Sequence, residues 1–136
     1  DCLLSRGLGD VYKRQIWHKD ANLCMFDLNT GTQVPTEEAN SPDTDSYHSW
    51  SSNSKWVVFS SRRLDGLYTR PFIAHVGEGG ILSKPFVLPQ KSTDYYTLLT
   101  KSYNIPEFVK GKVKTDTYKL VSQIKEGENR KISFIK

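Results

Sequence analysis

Residues 48–63 read "HSWSSNSKWVVFSSRR". Trp50 is followed by a run of small polar residues, then by the apolar run Trp56-Val57-Val58-Phe59, then by Ser60-Ser61-Arg62-Arg63. β-Branched and aromatic residues bounded by polar ones predict a strand over 55–61. "SSNS" (51–54) predicts a turn in which Asn53 takes the left-handed conformation. "YHSW" (47–50) is then a short strand entering that turn.

The same punctuation continues on both sides. "RRLDG" (62–66) predicts a turn with Asp65-Gly66 at its tip. "LYTRPFIAHV" (67–76) predicts a longer strand, in which Pro71 has no N–H to give to a ladder and should face away from a partner or sit at a bulge. "GEGG" (77–80) turns again, and "KPFVLP" (84–89) is a last strand closed by Pro89. Upstream, "ANLCMFDLNTGTQVP" (21–35) predicts a hairpin with Gly31 supplying a positive φ. The polar, breaker-rich stretch 36–46 is a loop. Four short strands in about forty residues make an antiparallel meander, and a lone meander cannot cover both its faces and its edges. Stacked radially, such a unit is one blade of a propeller, whose repeat is ~40–45 residues with four strands.

The quoted stretch resembles the WD40-like (PD40) repeat of TolB-type β-propellers, in which a Trp-Ser-Pro-Asp-Gly-like turn leads into an apolar strand and a Ser-x-Arg exit. Trp50-Ser51 match the opening, Lys55 to Phe59 (with Trp56) the strand, Ser60-Ser61-Arg62 the exit, and Leu67-Tyr68 the start of the third strand. The chain departs at Ser52-Asn53-Ser54, where the family has Pro-Asp-Gly. The resemblance implies one full blade at about 46–89 and the outer two strands of a preceding blade at 22–35. It makes Trp50, Ser51, Asn53, Trp56, Phe59, Ser61, Arg62 and Tyr68 structural residues of the blade motif. His48, beside Trp50, is expected to serve an ordinary structural role, with a place facing the propeller channel as the alternative. Residues 45–108 also resemble the C-terminal end of a group of envelope propeller proteins from Gram-negative anaerobes. The expected fold is therefore mainly β, a propeller-blade meander over 16–90 with an extension over 91–136. Further blades of the same chain would lie upstream.

In that extension, Tyr95, Tyr96, Tyr103, Ile105 and Phe108 are expected to pack on the outside of the last blade. "TDTYKLVSQIKEG" (115–127) predicts a short helix with Thr115 as N-cap, an apolar stripe of Tyr118, Val121 and Ile124, and Gly127 beyond its end. "KISFIK" (131–136) predicts a final strand. The charge is uneven: residues 110–136 hold eight Lys/Arg against three Asp/Glu, and residues 16–109 eight against ten. The basic excess of the tail reads as a solvated face. Without a recognised module or a basic face interleaved with aromatics, no nucleic-acid partner is expected. No apolar run approaches the ~20 residues that span a bilayer.

The opening "DCLLSRGLGDVYKRQ" (1–15) resembles the translation of a sequencing-library adapter of the kind found at the ends of reading frames from metagenomic assemblies. On that reading 1–15 are not native sequence, and Cys2 belongs with them. Cys24 is then a lone cysteine, expected on a strand as a small buried hydrophobe. His18, His48 and His75 are scattered, without metal-ligand spacing. Asp43 and Asp45 resemble the start of a calcium loop but lack its glycine and its final carboxylate, so loop solvation or an Asx turn is expected instead. No Gly-x-Ser-x-Gly elbow or phosphate-cradling loop occurs. No catalytic, cofactor-binding or metal residue is therefore assigned. The resemblance implies a non-catalytic binding or scaffold module of the periplasm or outer membrane, engaging a protein or glycan partner in an envelope complex. The alternatives are an accessory propeller of a peptidase with its catalytic domain upstream, and a self-standing small β domain that oligomerises.

Overall fold

A computed structural model describes residues 2–3 and 18–126 of the chain. Among these residues the strands form two antiparallel sheets. The first is a hairpin of β2 (Met25–Asp27) and β3 (Thr32–Val34), with the backbone of β1 (Cys2–Leu3) paired to the far edge of β2. The second runs β4 (Asp45–Trp50), β5 (Trp56–Ser61), β6 (Arg70–His75) and β7 (Phe86–Val87), side by side in chain order. The mainly β expectation and the four-stranded meander are met. α1 (Tyr95–Leu98) and α2 (Thr117–Glu126) follow.

Alternation along the strands decides which face is covered. Val57 pairs with Ala74 and Phe59 with Phe72. These four side chains point to one face and join Leu23, Met25, Val34, Ala39 and Leu82 in the buried core. The hairpin thus lies over that face of the large sheet. The opposite face carries Ser49, Val58, Ile73 and Phe86 in one row, and Trp56 with His75 in the next. Trp56 and Phe86 are exposed there.

The turns follow the sequence closely, with local corrections. Gly31 (φ 67°) and Gly66 (φ 68°) take the left-handed conformation expected of them. In the β4–β5 turn the left-handed residue is Ser54 (φ 55°), not Asn53. Asn53 serves by its side chain instead, its Oδ1 accepting from the Ser51 hydroxyl at 2.7 Å and from the Lys55 N–H at 3.2 Å. β4 begins two residues earlier than predicted and is bulged between Ser46 and Ser49, with Tyr47 at φ 52°. β6 begins at Arg70, so Leu67 and Tyr68 belong to the preceding turn rather than to the strand. Pro71 lies on an interior strand opposite Ser60, where its carbonyl still accepts the Leu88 N–H at 2.8 Å.

Cys24 is exposed and precedes β2, which corrects its expected burial on a strand. Burial alternates there from Leu23 inward through Cys24 outward to Met25 inward, so Cys24 falls on the solvent side. Ile105 (66% exposed) and Phe108 do not pack on the sheet, whereas Tyr95, Tyr96 and Tyr103 are half-buried. α2 starts two residues after Thr115. Its cap is Asp116, whose Oδ1 accepts the Tyr118 N–H at 2.9 Å. A carboxylate outcompetes the threonine hydroxyl for this N–H because the hydrogen bond is charge-assisted. Gly127 and the strand expected over 131–136 lie outside the described residues, as do residues 4–15.

Candidate functional site

Three turns meet at one end of the molecule. The β4–β5 turn is closed by Ser51, whose N–H reaches the Trp56 carbonyl at 2.9 Å while its hydroxyl accepts the Trp56 N–H at 3.0 Å. The β6–β7 connection contains a 3-10 turn at Glu78–Gly80, where Gly79 (φ 68°) and Gly80 (φ 80°) bend the backbone in a way side chains rarely allow. The β2–β3 turn is fixed by Asp27, which accepts from the Asn29 N–H at 2.9 Å and the Thr30 hydroxyl at 3.0 Å. Those two donors hold the Asp27 carboxyl below the ordinary carboxylate range.

Between them lies an open groove of about 760 Å³. Trp50 forms an apolar wall. Asp27, Asn29, Ser54, Lys55, His75 and Glu78 supply polar groups, and Gly77, Gly79 and Gly80 leave backbone bare. Among the described residues neither the Lys55 ammonium nor the Glu78 carboxylate has an ion-pair partner. His75 packs against the Trp56 ring at 5.0 Å and 77°, edge to face, rather than against a hydroxyl. The arrangement offers a ring to lie on, hydrogen-bond donors and acceptors, and charges of both signs. Such a surface can stack on a flat group and hydrogen-bond a polar one.

The opposite end is a polar clamp. Asp45 is fully buried and meets Arg63 at 2.7 Å, while its other oxygen accepts the Ser41 N–H at 2.6 Å and hydroxyl at 2.8 Å. The Arg63 guanidinium lies 4.7 Å from the Phe72 ring centre and donates to the Ala39 carbonyl at 2.6 Å. Asp43 accepts the Thr44 N–H and pairs with Arg62 at 3.8 Å. Both aspartates of the calcium-like stretch are therefore engaged by arginines and local turn donors. Arg70 is 1% exposed. It donates to the carbonyls of Tyr96 (2.9 Å), Leu99 (2.7 Å) and Lys101, and stacks 5.0 Å over Tyr68. Ser60 donates to the Tyr103 and Asn104 carbonyls at 2.7 and 2.9 Å, and the Tyr103 N–H reaches the Thr69 carbonyl at 3.0 Å. The extension is thus fastened to the sheet largely by its carbonyls, with the Asn104 and Ser102 side chains accepting from Thr69 and the Tyr96 hydroxyl donating to the Leu88 carbonyl. A hydroxyl–hydroxyl hydrogen bond of 2.9 Å from Tyr95, together with burial, holds the Tyr103 phenol above its ordinary range.

The motif residues fall in three places. Trp50, Ser51 and Asn53 build the groove end. Phe59 is fully buried, stacked on Phe72 at 6.2 Å, and Trp56 sits on the bare sheet face. Ser61, Arg62 and Tyr68 join the clamp, where the Ser61 hydroxyl accepts from Arg63 Nε at 2.8 Å. His48 is half-buried in the β4 bulge. Sequence reading missed Arg70 and Arg63, and it expected loop solvation or an Asx turn for Asp45, which is instead buried at the start of β4 and paired with Arg63. Opposite charges at strand ends eighteen residues apart carry little local signal. Thr69-Arg70 directly before an inward-facing apolar run was the available clue. No family model matches the chain, and no match to a curated protein or to a solved structure is found.

Proposed function

We propose that the chain is a non-catalytic binding and scaffold module, the C-terminal end of a TolB-like β-propeller of the cell envelope, periplasmic or outer-membrane-associated. Its partner is a protein or a glycan, received at the groove end. The observation that carries the reading is the four-stranded sheet in strict chain order, with Trp50-Ser51 at its first turn and a preceding hairpin packed on one of its faces. That is how consecutive blades stack in a propeller. The opposite face, with Trp56 and Phe86 exposed, supplies the apolar surface that a further blade would cover.

Reading the gene upstream of residue 16 tests this. The expected outcome is further four-strand repeats of ~40–45 residues, each with a Trp-Ser turn. An upstream frame without such repeats removes the propeller. An upstream hydrolase domain with a nucleophile elbow turns the module into the accessory propeller of a peptidase. The same bare face also favours association of a self-standing domain with its own copy. A mass that doubles with concentration in sedimentation would establish that form.

A further inference from the structure

The C-terminal helix presents a chemistry unlike the rest of the chain. Tyr118, Leu120, Val121 and Ile124 lie on one side of α2 and, at ~100° per residue, cover an arc of roughly 160°. Lys119, Ser122, Gln123 and Glu126 hold the other side. In a helix packed on a core such a stripe is buried. Here Tyr118 is 86% exposed and Ile124 73%, and no residue of α2 is buried. The residues before the helix continue the pattern. Ile105, Phe108, Val109 and Val113 are exposed, interleaved with exposed Lys110, Lys112 and Lys114. Over residues 110–126 five lysines stand against two carboxylates, Asp116 and Glu126. Thr117 and Lys125 fall within the same arc, Lys125 beside Tyr118, where a lysine lays its methylenes along the apolar side and lifts its ammonium to water.

We propose that residues 105–126 form a membrane-surface anchor. α2 lies in the headgroup layer of an anionic bilayer with its stripe toward the acyl chains and its lysines on the lipid phosphates. Charge selects this occupant. The competing apolar surface on the same chain is the exposed part of the outer sheet face, Trp56, His75 and Phe86, which offers no carboxylate to answer the lysines. An anionic bilayer answers both the stripe and the lysines, Lys110, Lys112 and Lys114 before the helix and Lys119 and Lys125 on it, and an amphipathic helix beside such a basic segment lies along a surface rather than crossing it. Among the described residues no helix is long and apolar enough to cross a membrane. The anchor is independent of what the groove binds and of how many blades the protein has.

Co-sedimentation of the whole chain with lipid vesicles tests the proposal. The probes are phosphatidylcholine vesicles with and without phosphatidylglycerol, at about 0.01 M salt, where screening extends ~30 Å, and at 1 M, where it extends ~3 Å. Binding is expected on the anionic vesicles at low salt, lost in 1 M salt and on phosphatidylcholine alone. Ile124→Glu should abolish it without altering near-UV circular dichroism, since Ile124 touches no core. Lys112→Gln and Lys114→Gln should each weaken it about fivefold. Equal binding to uncharged vesicles, or binding that survives Ile124→Glu, overturns the proposal. So does a chain that ignores both vesicle types. If, in that case, Ile124→Glu shifts Trp56 emission, the stripe rests on the chain's own sheet; if it abolishes a concentration-dependent mass, the stripe rests on a second copy.

Discussion

The two segments that flank the four-stranded sheet are held to it by opposite kinds of force. The β2–β3 hairpin docks through side chains: Leu23, Met25 and Val34 enter the same apolar cluster as Val57, Phe59, Phe72 and Ala74. The 94–104 extension docks largely through its backbone, with carbonyls of Tyr96, Leu99, Lys101, Tyr103 and Asn104 accepting from Arg70 and Ser60. Apolar docking is cooperative with the core, because its free energy scales with area removed from water and with close packing. Polar docking is local. It rests on Arg70, Ser60 and Thr69, and each carbonyl can return to water if the segment lifts. The hairpin should therefore leave the sheet only when the whole unit unfolds, while the extension can open on its own.

The largest effect should come from Phe59→Ala. Phe59 is fully buried between the hairpin and β6, so its truncation removes the centre of the shared cluster. A loss of about 3–5 kcal/mol is expected in urea unfolding, with hairpin and sheet lost in a single transition. Separate transitions for β2–β3 and β4–β7 would break the comparison, since the two would then not share one cooperative core.

Arg70→Met comes next. It keeps bulk on the strand but removes the donors that hold three carbonyls and the 3.5 Å partner of Asp65. About 2–3 kcal/mol is expected, from the loss of charged hydrogen bonds. Hydrogen exchange should rise over 94–104 and stay unchanged over 25–34. Equal acceleration in both segments would mean that the clamp is part of the core.

Smaller still is the acid limb. Burial pushes the Asp65 carboxyl up, but the N–H groups of Tyr68 and Leu67 and the Arg70 charge outweigh it and leave it below the ordinary range. A depressed carboxyl contributes its stability fully above its unfolded value of about 3.9, and that contribution fades as pH falls through the folded value. Asp65→Asn should lower the melting temperature slightly at pH 7, where the ionised carboxyl contributes in full, and that gap should close as pH falls below 4, so the variant's acid limb is flatter. An unchanged acid limb would place the titrating group elsewhere.

The same contrast explains what was legible in the sequence. The meander was readable because β-branched and aromatic runs and turn residues are local signals: Trp56 to Phe59, Gly31 and Gly66 each announce their own conformation. The clamp was not, because Arg70 acts on carbonyls about thirty residues away, and any residue's carbonyl would serve. Ile105 and Phe108 misled for a related reason. Aromatic and aliphatic residues in a linker predict packing, yet here the backbone carries most of the docking up to Asn104 and leaves these side chains beyond it. The groove follows from turns that were each predicted, but their meeting depends on the hairpin lying over the sheet, which no single turn encodes.

The smallest predicted effect bears on the motif itself. At 52–54 the chain has Ser-Asn-Ser where the propeller repeat proposed for it would have Pro-Asp-Gly. The backbone there keeps the form a glycine would take, since Ser54 sits at φ 55°. The left-handed region costs a serine roughly 1 kcal/mol that glycine does not incur. Ser51 and Asn53 offset part of that cost by hydrogen-bonding the turn from within. Ser54→Gly should therefore raise stability by no more than ~1 kcal/mol, less whatever glycine adds to the entropy of the unfolded chain. Tyr47→Gly, at φ 52° in the β4 bulge, serves as the control: it relieves a similar backbone but removes a half-buried ring, so it should be neutral or destabilising. A destabilising Ser54→Gly would mean that the serine hydroxyl, and not the backbone form, holds this turn, and the likeness to a Pro-Asp-Gly turn would then be one of sequence position only.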